Sequence, residues 1–347
     1  MAVNYTGGTS NQSELERIQQ EIYAESYTIR DGIIDIDQNH KNGADVYESS
    51  VSVTVSAATT SGVTATGDID MKVNKTGVPL VSFQYEDTFS EKALKGTRFE
   101  KSMAAGAFNV DSSEFDQKVL IQVAPAIGEQ VEGYIWNGST AAQKVAIAAL
   151  AAGAAQGSIS AGAQALVVAS PTNLFNSLTS TILYNNSNSK VVAGAGLGDY
   201  IKVPNIVAVT QTTIAQEYGK MYAVAPSKTI NHMSEPPKIF APLGDRQLIK
   251  LANNSIGAAS NKNFVIEGFG ATEKIYFNGI EICFVPLVGF RILSIPSYLK
   301  FLMDLTSDVS TLKVGQMSNG ASDRYIKNIQ TAATWVVGQK YITLYGG

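Results

Sequence analysis

The stretch "SSVSVTVSAATTSGVTATGDIDMKV", Ser49 to Val73, constrains this chain more than any other. It alternates apolar and polar residues, turns at Thr59-Thr60-Ser61-Gly62, and alternates again, which predicts a long β-hairpin. Val51, Val53 and Val55 fall on one face of the outgoing arm; Ile69, Met71 and Val73 fall on one face of the returning arm. A two-stranded ribbon is at best marginally stable in water. Ordering its backbone costs more entropy than its few apolar side chains and net hydrogen bonds return. The ribbon needs a neighbour to lie on.

Composition points the same way. Of the 347 residues, 45% are hydrophobic and only 16% charged, against about 25% charged in ordinary soluble domains. Such a chain is either nearly all core or spends much of its surface on partners. The net charge of −4 gives no basic footprint for tight nucleic-acid binding. The single cysteine, Cys283, sits in the apolar run Ile280 to Val285 and reads as a buried inert thiol, so no disulfide framework forms within the chain. The amino terminus, "MAVNYTGGTSNQSELERIQQ", lacks an apolar h-region, so no signal peptide is expected. The alanine-rich Val145 to Ala155 is too short for a membrane span, which takes about 20 residues.

Along the chain, residues 1–12 read as a polar arm, and Ser13-Glu14-Leu15-Glu16 fits a capping box followed by Leu15, Ile18 and Ile22 at helical spacing. That helix gives way before Gly32, and Ile33 to Ile36 reads as a short strand. After the hairpin, closed by Gly77 and Pro79, a strand from Leu80 to Tyr85 returns to the body. The strongest helix signal is "SSEFDQKVLIQVAPAIGEQVEGYIW". There Phe115, Val119, Val123, Ile127, Val131 and Ile135 form a stripe that predicts a helix over 113–136, with a kink at Pro125 and a stop at Asn137-Gly138. Further helices are expected from Thr140, from an N-cap at Ser170-Pro171, and over Pro242 to Asn253. Strands are expected at 201–209, 221–224, 238–240, 275–277, 280–284, 312–317, 324–330, 335–337 and 341–345. Asn278-Gly279 makes one hairpin turn and Asn319-Gly320 another. Strands and helices mix without βαβ regularity, so the class is α+β.

Chemistry is hard to place on these residues. The two histidines, His40 and His232, are distant in sequence, and with one cysteine they make no metal site. Phosphate loops are missing. Gly194-Ala195-Gly196-Leu197-Gly198 has the wrong spacing and context for a dinucleotide loop, and Ser158 to Gly162 lacks the first glycine of a nucleophile elbow. Glu14, Glu16, Glu129 and Glu132 read as solvated helix faces. No enzyme, cofactor or metal is expected.

The order of parts resembles the major capsid proteins of tailed bacteriophages, whose shell fold herpesvirus capsids share. "FDQKVLIQVAPAIGEQVEGYIWNG" resembles the spine helix of that family; "SPTNLFNSLTSTI" and "KIFAPLGDRQLIKLANN" resemble its axial-domain helices and a feeding strand. "KVGQMSNGASDRYIKNIQTAATWVVGQKYITLY" resembles the peripheral-domain hairpin and the final strand returning to the axial domain. The resemblance in order covers most of the chain and is looser over residues 1–50.

The resemblance implies an amino-terminal arm (1–32), an extension loop with flanking strands (33–95), a peripheral domain (96–137 and 311–334) and an axial domain (138–310 and 335–347). It implies a structural protein that assembles as hexamers and pentamers into an icosahedral shell around double-stranded DNA, made in the host cytoplasm. Implied partners are other copies of itself, a portal, separate scaffold or decoration proteins, and DNA by weak contact, with no membrane. The extension loop would lie on the neighbouring subunit through Val51, Val53, Val55, Ile69, Met71 and Val73. Lys72, Lys75, Asn319 and Asn328 are the residues a family-type covalent cross-link would use, although ordinary surface roles are the simpler expectation. Arm and hairpin use up the residues before the spine helix, so no amino-terminal cleavage is expected. A second reading, a surface-layer or adhesin-like β-rich structural protein, rests on the Ser/Thr/Asn/Gly content; the long amphipathic helix weighs against it.

Overall fold

The computed structural model describes residues 26–53, 69–90, 113–150, 159–187, 200–255, 264–268, 273–304, 313–316 and 323–346. Its body is built on two sheets joined by one core. The first is five-stranded and centres on a long strand, β13 (Asp323–Val336). One edge of β13 pairs antiparallel with β4 (Val81–Ser90) over ten residue pairs, from Asp323↔Ser90 to Ala332↔Val81. Its other edge takes β12 (Lys313–Gln316) and then β11 (Leu299–Met303), which in turn pairs in parallel with β1 (Asp35–Asp37). Two strands expected at 324–330 and 335–337 are thus one continuous strand.

The second sheet has seven strands in the order β5 (Ile201–Lys202), β14 (Thr343–Gly346), β10 (Phe290–Ser294), β6 (Lys238–Pro242), β9 (Ile280–Val285), β8 (Lys274–Phe277) and β7 (Phe264–Glu267). Asn278 and Gly279 join β8 to β9 with φ of 47° and 82°, the left-handed pair that a two-residue hairpin demands. Every residue of β10 is buried. Both of its faces are covered, and Arg291 and Ser294 sit among its apolar residues, so it shows neither a clean alternation nor an unbroken apolar run, which is why periodicity did not reveal it.

Helix α1 (Tyr27–Arg30) precedes the ribbon strands β2 (Asp45–Val53) and β3 (Ile69–Gly77), and α2 (Ser113–Trp136) has the bounds its apolar stripe predicts. Helix α2 continues through Pro125, an exposed position where the carbonyl that proline leaves unpaired can bond water. It ends at Gly138, whose φ is 86° and where a Cβ would collide with the side chain of Asn173. Helix α3 (Ala141–Ala148) is capped by Thr140, whose hydroxyl accepts from the Gln143 N–H.

The next two helices depart from expectation. Ser170 does not open a helix. It closes α4 (Ala161–Ala169), and its hydroxyl donates to the Val167 carbonyl. The following helix, α5 (Leu178–Ser187), starts later, with Ser177 Oγ accepting from the Ser180 N–H. The predicted strand at 221–224 is the end of helix α6 (Ile214–Val224), whose Ile214, Tyr218 and Met221 are fully buried at helical spacing. Only Ile201 and Lys202 of the predicted strand 201–209 pair in a sheet. Short α7 (Ser227–Ile230) and amphipathic α8 (Leu243–Ser255) complete the α-helices of the described residues.

Two apolar cores sandwich the seven-stranded sheet. One joins Val131, Ile135 and Trp136 of α2 and Leu178 and Ile182 of α5 to Phe240, Ile292 and Leu344, and continues to Leu299, Phe301 and Val336 of the five-stranded sheet. The other packs Tyr218, Met221 and Ile249 against Ile239, Ile282, Leu293 and Tyr345 on the opposite face. Trp136 is fully buried against Phe240, with ring centroids 5.1 Å apart, whereas Trp335 is half-buried.

Candidate assembly surface

Strands β2 and β3 form a sheet of their own, paired with one another over nine residue pairs from Asp45↔Gly77 to Val53↔Ile69. At ~3.3 Å per residue this ribbon runs about 30 Å. The register sets Val51 opposite Met71, Val53 opposite Ile69 and Val73 opposite Ser49. Residues directly opposite in an antiparallel pair share a face. The two apolar rows read from the sequence therefore merge into one apolar face. Val55 lies outside the described residues, as does the expected turn.

The root of the ribbon is held firmly. Gly43 N–H donates to the Val78 carbonyl and Val78 N–H to the Ala44 carbonyl, both at 3.1 Å. Leu80 N–H donates to Asn42 Oδ1 at 2.9 Å. Lys41 Nζ reaches both carboxylate oxygens of Asp304 at 2.9 Å, and His40 N–H donates to the Met303 carbonyl. Val46 and Trp335 pack on Val78, Leu80, Leu302 and Ala333. These contacts bind the root to β11 and β13. Beyond them, β2 and β3 have no further sheet partner among the described residues.

The other residues singled out in sequence are spread apart. Lys72 pairs opposite Ser50 and Lys75 opposite Tyr47 on the ribbon, whereas Asn328 pairs opposite Tyr85 in the five-stranded sheet; Asn319 lies outside the described residues. His232 is half-buried, its Nδ1 accepting from the Glu235 N–H, and His40 is buried with Nδ1 3.2 Å from Asp37 Oδ2. Cys283 is buried, and burial pushes its thiol up to about 12.

Two buried polar clusters escaped the sequence reading. Asp245, in the first turn of α8, accepts from Arg291 on β10 and from the Tyr218 hydroxyl at 2.7 Å. Burial, with the Asp245 charge, raises the Tyr218 phenol well above its ordinary range; burial alone would lower Arg291, but Asp245 outweighs it and raises it. Nearby, Glu217 takes the Lys220 ammonium at 2.7 Å, the Tyr345 hydroxyl at 2.9 Å and the Val207 N–H at 3.2 Å. Burial would raise Glu217, yet these donors hold it below the usual carboxylate range, while burial and Glu217 raise Tyr345. Glu132, expected on a solvated face, is buried too. Each of these groups is paired through a hydrogen bond or ion pair, as structural pins are. Among the described residues no cluster of three or more His, Cys, Asp or Glu could hold a metal ion, and no helix is long and apolar enough to cross a membrane.

No protein-family model and no curated protein matches this chain. Solved structures do. The cyanophage A-1(L) capsid asymmetric unit superposes with a TM-score of 0.51 at 10% identity, over 99% of this chain and 96% of that one. The satellite phage P4 procapsid including size determination (Sid) protein gives 0.49 at 10% identity, over 99% and 92%. The capsid of a native GTA particle gives 0.46 at 9% identity, over 100% and 93%. At such identities the likeness is one of fold, and what the two sheets, the long helix and the projecting ribbon make together is the phage major capsid fold.

Proposed function

We propose that this chain is a major capsid protein that assembles with copies of itself, as hexamers and pentamers, into an icosahedral shell enclosing double-stranded DNA. The observation that carries the reading is the ribbon: a 30 Å-scale two-stranded arm, rooted in the body, whose register gathers Val51, Val53, Ile69, Met71 and Val73 on one face. A face of that kind is completed by a second surface, and a neighbouring subunit supplies one at every position of a closed shell.

Within this reading the arm is 1–32, the extension loop and flanking strands 33–95, the peripheral domain 96–137 with 311–334, and the axial domain 138–310 with 335–347. Assembly takes place in the host cytoplasm, with a portal and, where required, separate scaffold or decoration proteins. The net charge of −4 suits a lining that contains DNA without gripping it. No covalent cross-link forms through Lys72, Lys75, Asn319 or Asn328, so mature shells release monomers in a denaturing gel.

Negative-stain imaging of the expressed chain tests the reading, together with nuclease protection of DNA in particles from producing cells. Closed shells or ring-shaped capsomers, with protected double-stranded DNA in the native particles, are expected. A small soluble oligomer at every concentration and in every producing cell would overturn it.

A further inference from the structure

An open cleft of about 370 Å³ lies over β10 and β14 of the seven-stranded sheet. Its walls are apolar: Leu166 of α4 and, from the segment after β5, Ile206, Val207 and Val209. Gly289, with φ of 75°, comes so near Leu166 that a Cβ there would meet Leu166 Cδ1 at 2.6 Å.

The floor is charged. Arg291 and Tyr345 stand opposite one another in the β10–β14 pairing, only 7% and 3% exposed, with the guanidinium 5.1 Å from the ring centroid. A guanidinium has five N–H donors. Arg291 spends two of them on Asp245, one from Nε and one from Nη2. The other three, both of Nη1 and the second of Nη2, meet no acceptor among the described residues, and Nη1 is still reached by solvent. A largely buried donor without an acceptor costs free energy that an incoming oxygen recovers.

The surrounding charges limit which oxygen fits. Asp245 already matches Arg291, and Lys220 matches Glu217, which also holds the Tyr345 hydroxyl. A second carboxylate would meet the like charges of Asp245 and Glu217 with both cations taken, whereas a neutral carbonyl oxygen accepts without adding charge.

The wall limits what carries that oxygen. An extended peptide docks by exchanging main-chain hydrogen bonds. Val207 has spent its N–H on Glu217 and its C=O on the Tyr345 hydroxyl, and the Ala208 C=O accepts from Thr213 Oγ1. The wall therefore offers apolar side chains, and the volume is that of a small-molecule site.

We propose that this cleft binds a small neutral molecule with an apolar body and a carbonyl oxygen, such as an aliphatic amide or ketone, the oxygen accepting from Arg291 and the body lying on Leu166, Ile206, Val207 and Val209. The site belongs to the single subunit and goes beyond the shell reading.

The test uses the unassembled full-length chain with isotope-labelled arginine and follows the Arg291 side-chain resonance by NMR as hexanamide is added. A saturable shift is expected, and hexanoate, of equal length but charged, should bind about tenfold more weakly or worse. Val207→Trp fills the cleft from a half-exposed position and should weaken hexanamide about tenfold or more at an unchanged melting temperature. The paired change Asp245→Leu with Arg291→Met keeps the walls and removes the donors. Followed from the ligand by saturation transfer, it should also lose about tenfold or more. No saturable binding of hexanamide, hexanoate binding as tightly, or undiminished binding by either variant would overturn the proposal. Should Val207→Trp fail to fold, the paired variant decides alone.

Discussion

Arg291 and Asp245 meet through two parallel hydrogen bonds inside the second core, Nε to Oδ2 at 2.5 Å and Nη2 to Oδ1 at 2.7 Å. Side chains of both are at least nine-tenths buried. Removing one partner strands the other's charge. Asp245→Asn should therefore cost about 3–5 kcal/mol, whereas the double change Asp245→Leu with Arg291→Met should cost far less. Denaturant unfolding of the three chains checks the order; equal losses in single and double variants would contradict it.

Glu217 gives the fold an acid sensitivity of known sign. Its native pKa lies below the ordinary 4.5, so its stabilisation is fully present above that value and is lost as pH falls through the depressed native one. Glu217→Gln should melt lower than the parent at neutral pH. Its melting temperature should also decline less steeply in acid, as calorimetry across that range would reveal.

The Cys283 thiol, buried and pushed up to about 12, carries almost no thiolate near pH 8. A thiol-specific chromogenic reagent should leave the native chain unlabelled and titrate one equivalent after unfolding, the single cysteine of the sequence.

On the ribbon, Val53 faces Ile69 across the pair. Val53→Asp should leave subunit stability within about 0.5 kcal/mol of the parent, as for a surface change, and abolish particle formation in sedimentation. Normal particles from this variant would remove Val53 from the subunit contact.

Where local chemistry decided the outcome, the sequence was readable. The Asn278-Gly279 turn, the bounds of α2 and the Thr140 cap each follow from residues within a few positions. Where tertiary context decided, it was not. Phe290 to Ser294 shows no clean alternation because both of its faces are covered, Arg291 being buried along with its apolar neighbours. Met221 to Val224 has strand-forming residues, yet Ile214 and Tyr218 upstream extend a helical stripe over the sheet. Ser170-Pro171 satisfies the rule for a helix start, but Ser170 caps the helix before it. Glu132 looked solvated because its donors, Ser26 and Thr28, lie more than a hundred positions away. The apolar face of the ribbon was visible as two rows, and only the pairing register united them.

Ile292 and Leu293 are consecutive residues of β10, yet one points into the first core and the other into the second. A strand keyed into both cannot slip from one without vacating the other. Heat or denaturant should thus find a single melting event, with no half-melted form in between. In the shell proposed above, each tile of the wall would then be either whole or gone.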